Sequence, residues 1–520
     1  MPHSAIKRAF EAAPTAEDAD GSAAQAALHA PPLAALHQTV LALRKDVVAS
    51  GNATMALWRG AIKTESFLPA AENLAHYLAL RRHDLSALQP CLSAYGLSSL
   101  GRSEGRVLTA LDALIASLAR LSRVGAPDYP PTLLVSEGER ALERRQTLIF
   151  GRDPENASTR IMATLPTEAG SDKELIRRLM TAGANCVRIN CAHDDPKVWL
   201  AMIKRVRALA KELGRDCPVL MDIAGPKCRI AAVRAPDDQR LQRGDRFALV
   251  KTLESARGAE ISATITFPEI LDDLKPGEEV WINDGKIGAR VAAREPDGVR
   301  LEVFSVRAKG AKLKPEKGVN FPDADLNLPP LTQDDLAALD FAAEHADLIG
   351  FSFVQRPSDI ALLDRELARR RPGLPPQPLV LKIETRLGVE NLPQLIVQGA
   401  ATRPLAVMIA RGDLAVELGF GRLSEIQEEI LWLCEAAHVP VIWATQVLDS
   451  FVSEGAPTRA EATDAAMAQR AECVMLNKGP FLDEAVGFLR DVLRRMDRHQ
   501  SKKAARLGAL HSWRDLAIRP

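Results

Sequence analysis

Hydrophobic and polar residues follow two different periods along this 520-residue chain. Residues 32–123 repeat apolar positions at three- and four-residue spacing, as in "LAALHQTVLALRKDVV" and "GRVLTALDALIASLARL", and this spacing predicts amphipathic helices. Residues 1–30 are rich in Ala, Asp, Glu and Ser with few large apolar residues, a composition typical of disorder. We therefore expect a disordered tail over 1–30 and an all-α N-terminal domain over 31–150.

Beyond residue 158, short apolar runs alternate with helical patterns. Eight such runs are present, among them "RIMATL", "CVRIN", "LVLKIE" and "LAVMIA". Eight βα units predict an α/β fold, a (β/α)8 TIM barrel over residues 151–226 and 321–500. Residues 227–320 read as short alternating strands and turns, which predict a small β-barrel lid domain inserted after strand 3, and 501–520 form a C-terminal tail. An open doubly wound sheet is the alternative, but its dinucleotide glycine fingerprint is absent from the sequence.

Charge and cysteine content exclude several classes of function. The chain carries 67 basic and 67 acidic residues, so no net field favours nucleic acid or an anionic membrane. No apolar run approaches the roughly 20 residues that a membrane helix needs, and the N-terminus lacks a secretory signal pattern. The seven cysteines are scattered without a CxxC pair. We expect a cytoplasmic protein with reduced thiols that binds neither nucleic acid nor membrane.

Polar residues follow nearly every strand of the expected barrel. Because the carboxyl ends of barrel strands form one mouth, these side chains are expected to converge there. For any one of them, a structural ion pair or a helix cap is the simpler interpretation, and only their convergence favours a site. The residues, taken in strand order, are Arg188, Asn190, Asp222, Ser352, Lys382, Glu384, Arg411, Asp413, Thr445, Gln446, Asn477 and Lys478.

The types of residue at this mouth indicate phosphoryl transfer. Glu384 and Asp413 are carboxylates at adjacent strand ends, and oxygen ligands of this kind suit Mg²⁺. In "ARGDLAVEL", Gly412 and Asp413 mark a strand-to-helix turn whose backbone N–H groups are free to bind an anion, although an ordinary loop glycine with an N-cap aspartate fits as well. Lys382 and Arg188 would then face phosphoryl oxygens. Two cations, a metal and helix-start amides describe a phosphoryl-transfer site.

Several motifs, in order, resemble those of the pyruvate kinase family. They are "VRINCAH", "MDIAGPKCR", "NDGKIGARV", "FSFVQRPSDI", "LKIETRLGVENL", "MIARGDLAVEL", "PVIWATQVLDSF" and "APTRAEATDAA". The resemblance covers about residues 158–498, which correspond to the catalytic barrel and its lid. It implies the last step of glycolysis, in which phosphoenolpyruvate and ADP give pyruvate and ATP.

The resemblance also implies a role for individual residues. Lys382 would contact the transferred phosphoryl group, Arg188 would stabilise it, and Thr445 would lie beside the carbon of enolpyruvate that is protonated. Glu384 and Asp413 would bind Mg²⁺. The remaining roles concern the substrate carboxylate turn (Ala410, Arg411, Gly412 and Asp413), the phosphate and cation network (Ser352, Asn190 and Asp222) and the nucleotide side of the lid (Arg229, Asp284 and Lys317).

The monovalent-cation site departs from the family pattern. Ala192 stands where many members have serine, and Ile223 and Ala224 stand where they have threonine and lysine. Lys227 stands where potassium-requiring members carry glutamate, and a fixed ammonium can supply the charge that K⁺ provides. We expect Mg²⁺-dependent activity without a K⁺ requirement; the alternative is that Lys227 is an exposed turn residue.

Other departures leave alternatives open. The eighth strand is followed by "NKGPFLDEA" instead of a longer serine–glycine–glutamate–threonine loop, and Lys478 fits either a phosphate contact or a solvated strand end. The first-strand turn "TLPTEAG" is one residue short, and the family's C-terminal regulatory domain has no counterpart in the sequence. A catalytically weak ligand-binding or regulatory relative, or a related barrel enzyme with another acceptor, therefore competes with the kinase interpretation. A homo-oligomer is compatible with each.

Overall fold

The computed structural model describes residues 31–501, except 257, 259, 325 and 327, together with residues 504–505. Two compact units make up the chain. Of the described residues, the first comprises those up to 144 and 432–438, and the second comprises those from 145 to 431 and from 439 onward. The expected tail at 1–30 and most of the expected tail at 501–520 lie outside the described residues.

The first unit is built from helices, as the three- and four-residue spacing predicts. The six helices at this end of the chain are α1 (Leu33–Trp58), α2 (Leu68–Leu80), α3 (Leu88–Ala94), α4 (Val107–Leu121), α5 (Thr132–Val135) and α6 (Glu137–Phe150). Their apolar stripes pack against one another, so that Val40, Leu74 and Leu111 are completely buried. In α1, Gly51 is required by packing, because a Cβ there would lie 2.3 Å from the His76 ring.

The second unit begins with three βα units. Its strands are β1 (Arg160–Thr164), β2 (Cys186–Asn190) and β3 (Val219–Asp222), and its helices are α7 (Lys173–Ala182) and α8 (Pro196–Glu212). Asp172 and Asp195 cap the two helices, each accepting two backbone N–H bonds in the first turn. All residues of β1 and β3 are buried, as expected for parallel strands that are covered on both faces.

The lid domain follows β3. It contains β4 (Ile230–Arg234), β5 (Arg246–Val250), β6 (Ser262–Ile265), α9 (Ile270–Asp273), β7 (Glu279–Ile282), β8 (Ile287–Glu295), β9 (Gly298–Val306) and β10 (Val319–Asn320). The seven strands form one sheet in the order β10-β7-β8-β9-β5-β6-β4. An antiparallel bridge between Arg229 and Gly318 joins its two edges, so the sheet curls back on itself around a core that includes Phe247 and Leu301. This confirms the predicted β-barrel lid.

The remaining five barrel strands are β11 (Leu348–Phe351), β12 (Leu379–Ile383), β13 (Leu405–Ala410), β14 (Val441–Ala444) and β15 (Cys473–Leu476). The helices of this part are α10 (Gln333–His345), α11 (Pro357–Arg370), α12 (Arg386–Glu390), α13 (Leu392–Ala400), α14 (Arg411–Leu418), α15 (Phe420–Ala436), α16 (Asp449–Glu454), α17 (Arg459–Ala468) and α18 (Leu482–Met496). A short β16 (Gln500–Ser501) and β17 (Ala504–Ala505) end the described chain.

Eight parallel strands close the predicted barrel. They follow one another around the ring in chain order, with β1 paired to both β2 and β15. Buried residues from every strand fill the interior, and Ile149 and Phe150 at the end of α6 pack against them. The pairing register brings the polar residues of one strand beside the neighbouring strand. Asn190 of β2 lies opposite Asp222 of β3, and Lys382 of β12 lies opposite Met408 of β13. No helix within the described residues is long and apolar enough to span a membrane.

Candidate active site

Arg188 and Asp222 form a buried ion pair at the mouth of the barrel. The Nε and Nη2 atoms of Arg188 each lie 2.7 Å from Oδ2 of Asp222. A third bond joins Arg188 Nη1 to Thr164 Oγ1 at 3.3 Å. Although burial alone would raise it, the pKa of Asp222 is lowered, because the cations of Lys382 and Arg188 stabilise the carboxylate. Strands β1, β2 and β3 thus hold one guanidinium in a fixed orientation.

The ammonium group of Lys382 lies among partners from two other strand ends, β3 and β11, and from its own. Its Nζ is 2.6 Å from Ser352 Oγ and 3.3 Å from both Asp222 Oδ2 and Glu384 Oε1. Burial lowers the pKa of Lys382, but the negative charges of Asp222 and Glu384 outweigh burial, so the pKa is raised and the ammonium stays charged. The sequence prediction that these strand ends converge is confirmed for Arg188, Asp222, Ser352, Lys382 and Glu384.

Glu384 is a buried carboxylate that directly follows β12. It is 3% exposed, and its Oε2 accepts a 2.6 Å bond from the backbone N–H of Phe353, a residue with φ of 55°. Burial raises the pKa of Glu384; Lys382 opposes this effect, and the negative charge of Asp413 adds to it. Two carboxylates that repel each other in a buried site provide hard oxygen ligands for a cation such as Mg²⁺.

The donor set fits a magnesium ion better than a transition metal. Among the described residues no group of three or more His, Cys, Asp or Glu side chains is arranged to hold a metal. Mg²⁺ is usually bound by one or two carboxylates, with water and substrate oxygens completing its shell. Glu384 and Asp413 are two carboxylates from neighbouring strand ends, and each is paired with a lysine, Lys382 and Lys227 respectively.

Lys227 contacts the second of these carboxylates directly. Its Nζ lies 2.7 Å from Asp413 Oδ1 and 2.9 Å from Oδ2, and the two side chains are only 21% and 15% exposed. A Cβ on Gly318 would lie 3.0 Å from Lys227 Cε, so the lid covers the lysine stem. The alternative interpretation of Lys227 as an exposed turn residue is therefore wrong. A fixed positive charge adjoins Asp413.

Strained backbone surrounds the start of α14. Thr445, Gln446 and Leu448 have φ values of 68°, 57° and 51°. Positive φ is a genuine outlier for a β-branched residue such as Thr445, and strain of this kind costs on the order of 1–3 kcal/mol per residue. It clusters at functional sites because the surrounding structure must hold it in place. A Cβ on Gly412 would lie 2.8 Å from Thr445 Cγ2, so the two residues adjoin.

The side chain of Arg411 is held by groups from β14 and α17. Its guanidinium pairs with Asp464, donates to the carbonyl oxygens of Ala444 and Thr445, and lies 4.7 Å from the centroid of the Trp443 ring. These contacts fasten the end of β14 to the start of α14. Arg411 can therefore serve the expected carboxylate turn through its backbone, together with Ala410 and Gly412.

The side chains of four predicted residues make no hydrogen bond or ion pair with the Lys382 cluster among the described residues. Asn190 Oδ1 accepts the N–H of Ala192 at 3.2 Å, and Arg229 donates to the carbonyl oxygen of Glu316 at 2.9 Å. Asp284 and Lys317 are exposed lid residues, and neither side chain has a hydrogen bond or ion pair among the described residues. They are available to a ligand, but no contact joins them to the mouth.

Two further residues belong to the surroundings of the site although the strand-end pattern does not reveal them. Glu417, one turn after Asp413 on α14, accepts a 3.1 Å bond from Asn320 Nδ2. Burial raises the pKa of Glu417 to about 7, and the negative charge of Asp413 contributes to the increase. The pKa of His193 is lowered by burial and then by the positive charge of Lys478. The motifs "VRINCAH" and "ARGDLAVEL" contain both residues.

Comparison with known proteins gives one consistent family. A family model described as the barrel domain of pyruvate kinase matches residues 156–483. The chain is 31% identical to pyruvate kinase of Bacillus licheniformis over 346 residues, which are 65% of this chain and 57% of the relative. It is 32% identical to that of Geobacillus stearothermophilus over 65% of this chain and 57% of the relative, and 32% identical to that of Agrobacterium vitis over 66% and 70%.

The match covers the barrel and the lid, and it spans less than two thirds of the Bacillus and Geobacillus proteins. The family model nevertheless matches more than half of this chain, including every barrel strand. The closed eight-stranded barrel with its β insert after β3 agrees with that match. The chain therefore belongs to the pyruvate kinase family.

Proposed function

We propose that the protein transfers the phosphoryl group of phosphoenolpyruvate to ADP, giving pyruvate and ATP. The observation that carries this proposal is the position of Lys382, whose charged ammonium lies between the buried carboxylates of Asp222 and Glu384 with Arg188 on the same aspartate. Two fixed cations beside two carboxylates suit a phosphoryl group that is bound together with a divalent ion.

The chain's own residues would bind and orient the reactants. Arg188 and Lys382 supply positive charge where the transferred phosphoryl group carries negative charge, and Asp222 holds both before the substrate arrives, so little reorganisation is needed. Backbone N–H groups at the start of α14 would hold the substrate carboxylate. The enolate that remains after phosphoryl transfer takes up one proton to become pyruvate, and Thr445 would adjoin the carbon that receives it.

Glu384 and Asp413 would hold Mg²⁺, which supplies positive charge to the oxygens of the substrate when it is bound. Lys227 would provide the charge of a monovalent cation, so that K⁺ is not required. Its two bonds to Asp413, together with Ala192 and the apolar Ile223 in the expected cation-site loops, support that part of the proposal.

The nucleotide would bind on the lid side of the mouth. Arg229, Asp284 and Lys317 are the lid residues assigned to it. The exposed ammonium of Lys317 is free to contact phosphates, whereas the exposed carboxylate of Asp284 would accept hydrogen bonds from N–H or O–H groups of the nucleotide. Water-excluding closure over ADP would protect the phosphoryl group from hydrolysis. We also propose that the protein is located in the cytoplasm, where both substrates occur. Identical chains would assemble into a homo-oligomer.

One observation favours a second candidate, a catalytically weak relative that binds ligands without efficient turnover. Only residues 477–481 connect β15 to α18, so the eighth strand end offers few backbone groups to a substrate. A barrel enzyme with an acceptor other than ADP would be compatible with the same short loop. Activity measurements distinguish these candidates.

The test is a coupled assay of purified protein with phosphoenolpyruvate, ADP and Mg²⁺. We expect ATP formation by the unaltered chain and its loss in Lys382→Met. Lys204→Met, which alters an exposed lysine of α8, is the matched control and should retain activity. Circular dichroism shows whether each variant is folded. Absence of ADP phosphorylation by the folded, unaltered protein would overturn the proposal and leave the binding or alternative-acceptor functions.

A further inference from the structure

A cationic cavity lies in the first unit, far along the sequence from every residue of the barrel mouth. Its volume is about 310 Å³, and its walls are the polar or small residues Ser98, Ser99, Gly101, Arg102, Ser103, Arg106 and Ala110. A second cavity of about 190 Å³ shares Ser98, Arg106 and Ala110 with it, and its further walls are largely apolar (Leu97, Thr109, Ala113, Leu114, Ser117 and Val135). One side of the combined space is therefore cationic, and the other is apolar.

The two arginines of the cationic cavity lack carboxylate partners. Arg102 is exposed, and its guanidinium has no hydrogen bond or ion pair with any described residue. Arg106 Nη1 donates one 2.7 Å bond to the carbonyl oxygen of Val135, which leaves the other N–H groups of its guanidinium without a protein acceptor in the described chain. Planar guanidinium groups of this kind bind phosphate oxygens through paired hydrogen bonds.

The loop that carries the serines is held in one conformation by its own bonds. Leu100 is buried with φ of 63°; its N–H donates to Ser98 Oγ at 3.3 Å, and its carbonyl oxygen accepts from Ser103 Oγ at 2.8 Å. Gln89 Nε2 donates to the carbonyl oxygen of Ser99 at 3.0 Å. The hydroxyl hydrogen of Ser98 remains available, because that oxygen accepts in the loop. Ser99 Oγ has no hydrogen-bond partner among the described residues.

We propose that this pair of cavities binds a phosphate monoester, with the phosphate between Arg102 and Arg106 and an apolar or aromatic body against Ala113 and Leu114. Two guanidinium groups that each donate two hydrogen bonds, together with two hydroxyl donors, offer more hydrogen bonds than the two oxygens of a carboxylate can accept. The three terminal oxygens of a phosphate monoester can accept all of them. The apolar cavity adds affinity only for a ligand with an organic body. The site is separate from the proposed phosphoryl-transfer site.

The test is titration calorimetry of the full chain with three probes, which are phenyl phosphate, inorganic phosphate and benzoate. Phenyl phosphate should bind about tenfold or more tightly than inorganic phosphate, because only phenyl phosphate fills both cavities. Benzoate should bind more weakly than phenyl phosphate. Arg106→Ala should weaken both phosphates by about tenfold or more, the usual effect of losing a charge-assisted bond. Arg82→Ala, an exposed arginine of the same unit outside both cavities, should change neither.

Two further variants keep the proposal falsifiable. Ala113→Leu fills the apolar cavity and should weaken phenyl phosphate while leaving inorganic phosphate unchanged, which a merely unfolded unit would not do. Lys382→Met removes a phosphate ligand from the barrel mouth and should leave the phenyl phosphate affinity as it was. If Arg106→Ala bound phenyl phosphate as tightly as the unaltered chain, the proposal would be overturned. It would also be overturned if only Lys382→Met lost binding, and the phosphate would then be assigned to the barrel.

Discussion

Replacing Lys227 by Met tests whether its ammonium takes the place of a monovalent cation. The substitution retains an unbranched stem under the lid and removes the charge that lies 2.7 and 2.9 Å from the oxygens of Asp413. At an effective dielectric constant of about 20, two unit charges at this separation attract each other by roughly 6 kcal/mol, and desolvation offsets much of that energy. Coupling energies measured for close charge pairs span about 1.5–7 kcal/mol.

The expected decrease in turnover corresponds to the lower half of this range of coupling energies. Loss of one fixed electrostatic group from a reacting centre costs about 10²–10³ in turnover, or roughly 3–4 kcal/mol. We expect turnover of Lys227→Met in K⁺-free buffer to fall by that factor. Added KCl should restore little, because Ala192 and Ile223 do not provide side-chain oxygen ligands for a K⁺ ion. The unaltered chain should turn over equally with and without K⁺.

The assay is the coupled measurement of ATP formation in buffers that contain tetramethylammonium, sodium or potassium as the monovalent cation. Lys251→Met is the matched control, because Lys251 pairs with Asp272 at 2.7 Å on the exposed surface of the same lid. Its turnover should remain within about twofold, since exposed ion pairs contribute little. The reasoning is refuted if the unaltered chain loses activity without K⁺, or if Lys227→Met retains full activity there.

Three other predictions concern the surroundings of the site and the stability of the barrel. Burial raises the pKa of Glu417 from its usual 4.5 to about 7, so its contribution to stability is complete below pH 4.5 and is lost as pH rises through 7. Glu417→Gln retains an acceptor for Asn320. At pH 8 its melting temperature should exceed that of the unaltered chain, and its free energy of unfolding should be higher by at most about 3 kcal/mol. Gly412→Ala places a methyl group 2.8 Å from Thr445 Cγ2, and kcat/KM should fall by about 10–10²-fold with little change in melting temperature. Gln146→Ala removes the amide that donates to the carbonyl oxygens of residues 158 and 472 at 2.6 and 2.7 Å, although residue 472 keeps its 2.8 Å bond from the N–H of Arg160, and denaturant unfolding should show a loss of about 1–2 kcal/mol.

Each of these predictions has a result that contradicts it. Parallel curves of melting temperature against pH for Glu417→Gln and the unaltered chain would show that Glu417 does not titrate in this range. A Gly412→Ala enzyme with normal kcat/KM would mean that Thr445 can move freely or does not adjoin the substrate. For Gln146→Ala, an unchanged unfolding midpoint would mean that other donors replace the lost amide.

The barrel and its polar mouth could be predicted from the sequence because the strands are short apolar runs, nearly all of which end in or are followed by a polar residue. Arg188, Asp222 and Lys382 converge for that reason, since the closed ring of parallel strands leaves their ends on one side. The lid could be predicted only as a set of alternating strands. Its closure depends on backbone pairing of residues 228–230 with residues 316–319, which alternation of apolar and polar residues does not encode.

Contacts between distant parts of the chain explain what the sequence could not predict. The bond from Lys227 to Asp413 joins residues 186 positions apart, and no local pattern indicates that the lysine is covered by Gly318. Likewise, the raised pKa of Glu417 depends on burial and on the charge of Asp413, although its helical spacing of four from that residue is visible in the sequence. The positive φ of Thr445 is imposed by tertiary structure against the preference of a β-branched residue.

The two polypeptide crossings between barrel and lid are both fastened to α14. Lys227, just before the first lid strand, is bonded to Asp413, and Asn320, the last residue of β10, is bonded to Glu417 one turn further along the same helix. A rotation of the lid about a distant axis would stretch both bonds together, whereas a rotation about an axis through α14 would preserve them. The hinge of the lid is therefore restricted to axes that pass close to this single turn of α14.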